Sequence, residues 1–498
     1  MHRKPLALVV AALAAVGSAQ GQQGGPRKLA FGEPIVVDCQ DPPAGRRRNF
    51  LWVAPVAFCW PKGGPVLVSL RGIKAKPVTD LWQEKQDRTW VRLGELPNVN
   101  WPSALVVGDD VGVVGSVGED VSGGYGNAIR FFRVANGKAP EPAVVCRPPG
   151  RQDRLTVSSV NALGETISVF LLLEARGTGE NRLLYCRSAD GGRTWPKEPT
   201  VIAATTMGED YSRLGSFQFS ADQLGRFVAE RTGPLLFYRS ADAGRTWTKQ
   251  TVQLRDELPA AARRLPLASV GFKAGIGLVY LGVDPAGRDG RYYFTRSADR
   301  GGTWQAASAI SDPVKVDDPA IFARAAASGQ RVAMSFVETT GQWTQGEMRC
   351  RLVVSQDGGR TWRPEPLEKH YNGVALFSAL GSAPGEDRLL FATAICIDPQ
   401  TNARNYLVVQ ELSTRARRAA RPADLGQEDR KTIAGLIERL GDEELAVREA
   451  ATRKLATFGL AAKQQLQAAL KSKDPEVAAR AERILQRIFP ECIRPRSD

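Results

Sequence analysis

The chain has 498 residues, 43% of them hydrophobic and 24% charged, so a large apolar core is available and a disordered chain is excluded. That length allows two or three domains. A net charge of +14 favours acidic partners (the excess also reads simply as an aid to solubility), and only two histidines, His2 and His370, exclude a histidine-rich metal site.

Residues 1–19 read as a secretory signal peptide. His2-Arg3-Lys4 is a positive start, Leu6 to Val16 an apolar run, and Gly17-Ser18-Ala19 offers small residues for cleavage before Gln20. The mature protein is then expected outside the cytoplasm: secreted, periplasmic or on the cell surface. The apolar run is short for a bilayer span, and no later stretch qualifies; an uncleaved anchor is the alternative. Removing Arg3 and Lys4 leaves a charge of +12 and His370 as the single histidine. Residues 20–30, rich in Gln and Gly, read as a flexible lead-in.

From residue 31 to 413 the chain shows short β-prone segments separated by Gly, Pro, Asn and Asp. Four octapeptides punctuate them: Ser188–Trp195 (SADGGRTW), Ser240–Trp247 (SADAGRTW), Ser297–Trp304 (SADRGGTW) and Ser355–Trp362 (SQDGGRTW). The pattern is S-x-D-x-G-x-T-W, and the near-even spacing of its serines matches a repeat of one propeller blade. Each copy sits between β-prone runs, hence in a hairpin turn. There Asp190, Asp242, Asp299 and Asp357 can accept turn N–H groups. Gly192, Gly244, Gly301 and Gly359 allow a backbone angle other residues avoid, and the closing Trp is expected to cover the outer edge of its hairpin. Gln83–Trp90 has the Thr-Trp ending of a decayed copy. Phe131–Gly137 and Tyr406–Leu412 fill the remaining slots at the same spacing. That makes seven hairpins. Gly32–Val37 resembles the outer strand of other units and is expected to complete the last blade, removing a free edge.

Residues 414–424 form a basic linker. Beyond it, over 425–490, the apolar period changes from two to about 3.6. Ile433, Leu436, Ile437 and Leu440 form one stripe; Leu445, Val447, Ala450, Ala451, Leu455 and Phe458 a second; Leu466, Ala469 and Leu470 a third. Val477, Ala481, Ile484, Leu485 and Ile488 form a fourth, opened by Asp474-Pro475 as cap and first turn. Residues 491–498 are a tail. The seven cysteines show no C-x-x-C spacing, and Cys186 and Cys350, just ahead of two boxes, are expected to be buried.

The octapeptides resemble the Asp box, or bacterial neuraminidase repeat, of the sialidase-like β-propellers. The resemblance implies a mainly β propeller; the seven hairpins counted above make it one of seven blades, with six, as in sialidases, as the alternative, followed by a small all-α module. LAVREAATRKLATFG, residues 445–459, resembles a HEAT-type repeat, and two helix pairs are few for a free-standing solenoid. The helical module is therefore expected to contact the propeller, a second copy or a protein partner. The box residues themselves (serine, aspartate, glycine and tryptophan of each copy) are structural in this family.

Sialidases of this fold hold a substrate carboxylate with three arginines, and use a Tyr–Glu nucleophile and an Asp acid/base. Carried over by motif, Arg264 in Arg264-Leu265-Pro266 resembles the first arginine, and Asp289 is the nearest candidate acid. Arg231 resembles a second arginine, with Arg324 or Arg213 a third, and Tyr371 is the late tyrosine. The order departs from the family: the first unit reads Ala54-Pro55-Val56-Ala57 without arginine, and no glutamate pairs convincingly with Tyr371 or Tyr406. Asp317-Asp318 and Asp210-Tyr211-Ser212-Arg213, with Arg231, Arg264 and Arg324, are expected to line the central mouth. His370 reads as a loop residue. No metal, cofactor or nucleic-acid motif is present. The incomplete catalytic set favours an exported propeller binding an acidic glycan or a surface protein. A glycoside hydrolase acting on an acidic sugar, with carboxylates roughly 5–10 Å apart, is the alternative.

Overall fold

The computed structural model describes residues 30–31, 35–37, 50–73, 76–85, 90–117, 128–135, 141–150, 153–175, 180–205, 215–229, 234–272, 275–287, 289–315, 323–339, 348–367, 371, 374–382, 388–398, 403–413, 427–458 and 462–488. Seven antiparallel sheets of four or five strands follow one another along the chain. Their first strands neighbour each other around a ring, and blade 7 lies against blade 1. The fold is a seven-bladed β-propeller, as the repeat spacing implied.

Within each blade the strands are named a to d from the channel outward. Burial sets their composition. Strand b of blade 3 (Thr166–Ala175, TISVFLLLEA) is buried at seven consecutive positions, because sheet and neighbouring blade cover both its faces. Strand d of blade 4 (Thr248–Thr251, TKQT) is almost wholly polar and mostly exposed, the usual protection of an outer edge. Blade 7 has only three strands of its own. Its outer position is taken by Ile35–Val37, which pairs with Val409, Val408 and Leu407, and by Ala30–Phe31 beside Ser413 and Leu412. The expected N-terminal closing strand is thus present. Arg388, at the start of strand b in blade 7, adds an ion pair to Glu84 of blade 1 (2.7 Å) and another to Glu411 (3.1 Å).

The four boxes connect strands c and d of blades 3 to 6, and each letter of the motif has a bond. In the first, Ser188 Oγ donates to Asp190 Oδ1 (2.7 Å) and accepts from Gly192 N (2.8 Å). Thr194 donates through N to Oδ1 (3.0 Å) and through Oγ1 to Oδ2 (2.6 Å), while Trp195 Nε1 donates to Gly192 O (3.0 Å). The pattern repeats at Asp242, Asp299 and Asp357.

The tryptophans of the boxes reach beyond their own hairpins. They turn to the preceding blade: Trp195 meets Phe131 (ring centroids 5.8 Å), Trp247 meets Tyr185 (5.5 Å) and Trp362 meets Phe294 (5.2 Å). The box glycines rest on the same aromatic row. A Cβ on Gly192 would lie 2.1 Å from Phe131 Cε1, and on Gly244 2.0 Å from Tyr185 Cε1. Two residues after each aromatic stands an arginine, and three of them reach forward. Arg133 Nη1 donates to Gly191 O (3.5 Å), Arg239 Nη2 to Arg300 O (2.8 Å) and Arg296 Nη1 to Gly358 O (3.1 Å). Each box is therefore a joint between blades as well as a turn.

These hydrogen bonds hold the box carboxyls ionised. The Thr246 hydroxyl and N–H bring Asp242 down to about 2. At Asp299 and Asp357 burial opposes ionisation, but donors from Thr303 and Thr361 outweigh it and both fall to about 2. Asp190 is depressed as well, chiefly by Thr194. A folded-state value below the unfolded one, about 3.9, gives stability present above that pH and lost on acidification. Thermal unfolding scanned against pH should show Tm level down to about pH 5, then falling continuously to about pH 2. A flat Tm through that window contradicts the assignment.

The C-terminal residues form helices α1 (Gln427–Glu438), α2 (Leu445–Thr457), α3 (Lys463–Ala469) and α4 (Pro475–Ile488) around their own core of Ile433, Leu440, Ala451, Leu455, Leu466, Ala481 and Ile484. Asp474 caps α4 through Glu476 N (2.8 Å). Four stripe residues fall outside that core: half-buried Val447, exposed Ala450, and Leu445 (59% exposed) and Leu470 (42%), the last two at helix ends where no neighbouring helix covers them. α4 passes beside the Ile35–Val37 strand of blade 7.

Candidate functional site at the mouth of the ring

Strands a and c run the same way, so the boxes all open on one face. The opposite face receives the starts of the a strands and the b–c connections. Arg264, Arg324 and Asp289 belong to that opposite face: Arg264 is second in strand a of blade 5 (Arg263–Phe272), Arg324 first in strand a of blade 6 (Arg324–Ser328), and Asp289 first in strand c of blade 5 (Asp289–Ser297). Asp210, Tyr211, Ser212, Arg213, Arg231, Asp317, Asp318 and His370 lie outside the described residues.

Arg264 is committed to a carboxylate of this chain. Its Nε and Nη2 donate to Asp256 Oδ2 and Oδ1 (2.9 and 2.7 Å), Nη1 to Ala262 O (2.9 Å) and Nη2 also to Leu258 O (3.2 Å). Tyr280 adds its hydroxyl to Asp256 Oδ2 (2.8 Å), and the Asp256 side chain is 1% exposed. Burial alone raises the Asp256 pKa, yet Arg264 and Tyr280 bring it below its ordinary value. Beside it Glu257 accepts from Arg291 (3.0 Å) and from the Tyr293 hydroxyl (3.2 Å), with Tyr293 stacked on Tyr280. Sequence reading missed Asp256 and the tyrosines. They lie in a loop and on two strands, with no shared spacing.

Asp289 is exposed and closes the b–c turn of blade 5: its N–H donates to Asp284 Oδ1 (3.2 Å) and its carbonyl accepts from Asp284 N (2.8 Å). Arg324 is half-buried, with Nη1 donating to Ala323 O (2.9 Å). Tyr371 is 1% exposed, enclosed in the core between blades 6 and 7, with its hydroxyl bonded to Gln410. The structure therefore brings Arg264, Arg324 and Asp289 to one face and sets Tyr371 inside the protein.

The channel wall is shaped by irregular register. Among the described residues, the a strands of blades 1, 2, 3, 5 and 7 each carry a shift. These fall between Pro55 and Ala57, Asn100 and Ser103, Val157 and Ser159, Pro266 and Ala268, and Ala375 and Phe377. Such bulges re-aim side chains. Inside the blade 2 shift, Trp101 takes φ 44°, costly for a bulky residue. Its ring packs against Val337 of blade 6, as does Phe377 of blade 7. A side chain from blade 2 touching blade 6 must lie across the channel. Trp101 and Phe377 are both half-buried. In blade 3 the bulge presents Ser158 and Ser159 to Arg226, a fully buried guanidinium of blade 4 whose Nη1 donates to Ser159 Oγ (3.0 Å). Burial pushes Arg226 down to about 9. Ser216 continues the chain of hydroxyls to Ser159 (2.6 Å), and Asn161 donates to Ser216 (2.9 Å).

Among the described residues no three His, Cys, Asp or Glu side chains are grouped to hold a metal ion, and no helix is long and apolar enough to cross a membrane.

No protein-family model and no curated protein sequence matches the chain. Solved structures do. The chain is similar to an α-L-arabinanase of Penicillium chrysogenum complexed with arabinobiose, at 14% identity and a TM-score of 0.40, over 78% of this chain and 99% of that one. It is similar to the α-L-arabinofuranosidase of Fusarium graminearum bound to an iminosugar inhibitor, at 14% identity and a TM-score of 0.39, over 77% and 98%. Trypanosoma rangeli sialidase matches at 14% identity and a TM-score of 0.40, over 72% of this chain and 59% of its own. The chain is a seven-bladed β-propeller with box joints between blades and a small C-terminal helical module.

Proposed function

We propose that this propeller binds an acidic glycan at the mouth of its ring, on the face opposite the boxes. The observation that carries the reading is Trp101. A bulge holds it at φ 44° with its ring across the channel, near Phe377 of blade 7. Strain of this kind persists where the surroundings enforce it, and half-exposed aromatic faces suit the apolar side of a sugar ring. Arg324 starts the neighbouring inner strand of blade 6, and the net charge of +14 favours an anionic ligand. The boxes do not compete for this role, since their carboxylates and hydroxyls are bonded within the turns. Export through the N-terminal signal and a second contact surface on the helical module belong to the same reading.

Hydrolysis is the other reading, and the described carboxylates at the Arg264 cluster argue against it. Asp256 serves Arg264 and Tyr280, and Glu257 serves Arg291 and Tyr293. Neither is placed as one of two independent acids. The test is a glycan array of uronic, sialylated and sulfated sugars, followed by calorimetry on the best ligand. Trp101→Ala should weaken binding at least tenfold, about 1.4 kcal/mol or more, with the fold retained. Unchanged affinity in that variant removes the mouth as the site. Turnover of fluorogenic glycosides, abolished by Asp289→Asn, replaces binding by hydrolysis with Asp289 as the acid.

A further inference from the structure

Cys146 ends strand d of blade 2 (Ala143–Cys146) and Cys186 lies in strand c of blade 3 (Glu180–Ser188). Strand alternation decides where Cys186 looks. Its neighbour Tyr185 packs on Trp247 of blade 4, so Cys186 faces back toward blade 2. There Leu184, Cys186, Val145, Cys146 and Phe131 share one buried cluster. The two cysteines are 7% and 1% exposed, so both thiols are buried within that one cluster. The Cys146 thiol also lies 3.6 Å from Arg147 O. Of the other cysteines whose side chains are described, Cys59 directs its thiol to Val66 O (3.8 Å) and Cys350 to Arg351 O (3.8 Å), and neither shares its buried cluster with another described cysteine.

We propose that Cys146 and Cys186 are an oxidative modification site, joined as a disulfide that staples blade 2 to blade 3. The reaction needs a disulfide oxidant, such as oxidised glutathione or a dithiol–disulfide carrier protein. The Cys146 thiolate attacks one oxidant sulfur, breaking the oxidant's S–S bond and expelling a thiolate. Cys186 then loses its proton and attacks Cys146 Sγ of the mixed disulfide, forming the Sγ–Sγ bond and releasing the second thiol. Two electrons pass from the cysteines to the oxidant, and both protons end on its two thiols. Cys146 goes first because it ends the outer strand of its blade and is the more exposed of the two. Both sulfurs are covered in the finished ring, so the exchange belongs to the stage when blade 3 is closing on blade 2. The bond then closes a loop from Cys146 to Cys186 in the unfolded chain and restricts its freedom.

The test uses the full chain refolded in a glutathione redox buffer, alkylated and digested with trypsin without reduction. A linked pair of Ala139–Arg151 and Leu183–Arg187 is expected, these being the tryptic peptides that carry Cys146 and Cys186. Cys59 and Cys350 should be recovered alkylated. Oxidised wild type should unfold at a higher Tm than the reduced protein, and Cys146→Ala should abolish that difference. Recovery of Cys146 and Cys186 as alkylated thiols, or linked instead to Cys39, Cys396 or Cys492, overturns the proposal. The wild-type peptide map decides even where the variant fails to fold.

Discussion

Gly359→Ala should cost the propeller about 2–5 kcal/mol of stability, the left-handed backbone supplying about 1–2 and forced repacking about 1–3. Gly359 has φ 88°, and a Cβ there would lie 2.0 Å from Phe294 Cε1 of the preceding blade. Gly329 is the control. It has φ 61° in the a–b turn of blade 6, and an added Cβ would meet nothing within 4 Å, so Gly329→Ala should cost only about 1–2 kcal/mol. Denaturant midpoints of the two variants measure the difference. Combining Gly359→Ala with Phe294→Leu should cost less than the sum of the singles, because the smaller side chain yields space. Equal losses at Gly359 and Gly329 mean that the box glycine serves the turn alone and the joint between blades is dispensable.

Asp256→Ala is the second large effect, about 3–5 kcal/mol, since it strands a mostly buried guanidinium and a buried phenol. The carboxylate accepts two bonds from Arg264, one from Tyr280 and one from Leu258 N (3.2 Å). Asp256→Asn keeps part of this network and should cost less. In the double variant Asp256→Ala with Arg264→Leu the loss should fall well below the sum of the singles, the uncompensated charge being gone. Urea denaturation at pH 7 compares the wild type with these variants and with Arg264→Leu alone. The Asp256 carboxyl titrates below its ordinary value in the folded state. Its contribution is therefore complete above about pH 4 and fades as pH falls further. Additive losses in the double variant disprove the pairing, and leave Arg264 available for a ligand carboxylate.

The box was legible in sequence because all five of its fixed letters bond within one short turn. Serine, aspartate and threonine satisfy one another and the turn N–H groups. Their spacing also located the blades that lack a box: Trp90 begins the outer strand of blade 1, where a decayed copy was expected. The aromatic–x–arginine triplets ahead of the boxes were visible as letters (Phe131-Phe132-Arg133, Tyr185-Cys186-Arg187, Phe237-Tyr238-Arg239 and Phe294-Thr295-Arg296), but their targets were not. Those targets stand one whole blade further along the chain, for example Gly192 over Phe131.

The mouth was harder still. A motif drew attention to Arg264, yet nothing in the chain marks Asp256 as its partner. Tyr371 looked available as a late tyrosine, whereas its hydroxyl meets Gln410 in the core. Trp101 carries no periodic signal, because a bulge interrupts the alternation on which strand reading depends. Helix ends misled in a similar way. Leu445 and Leu470 continue apolar stripes beyond the point where another helix covers them.

The strand Ile35–Val37 and its partners Leu407–Val409 come from opposite ends of the propeller sequence. During synthesis the earliest strand must wait, unpaired, until the seventh sheet emerges. Blades 1 to 6 can meanwhile stack as an open arc, with local contacts forming early and the circle closing last. A chain shortened at its amino end past Val37 would keep that arc but expose Ala403–Ser413 as a long bare edge, which invites a neighbouring molecule's strand. The fastening of the circle thus sets the order of assembly, and its loss turns a closed ring into a template for aggregation.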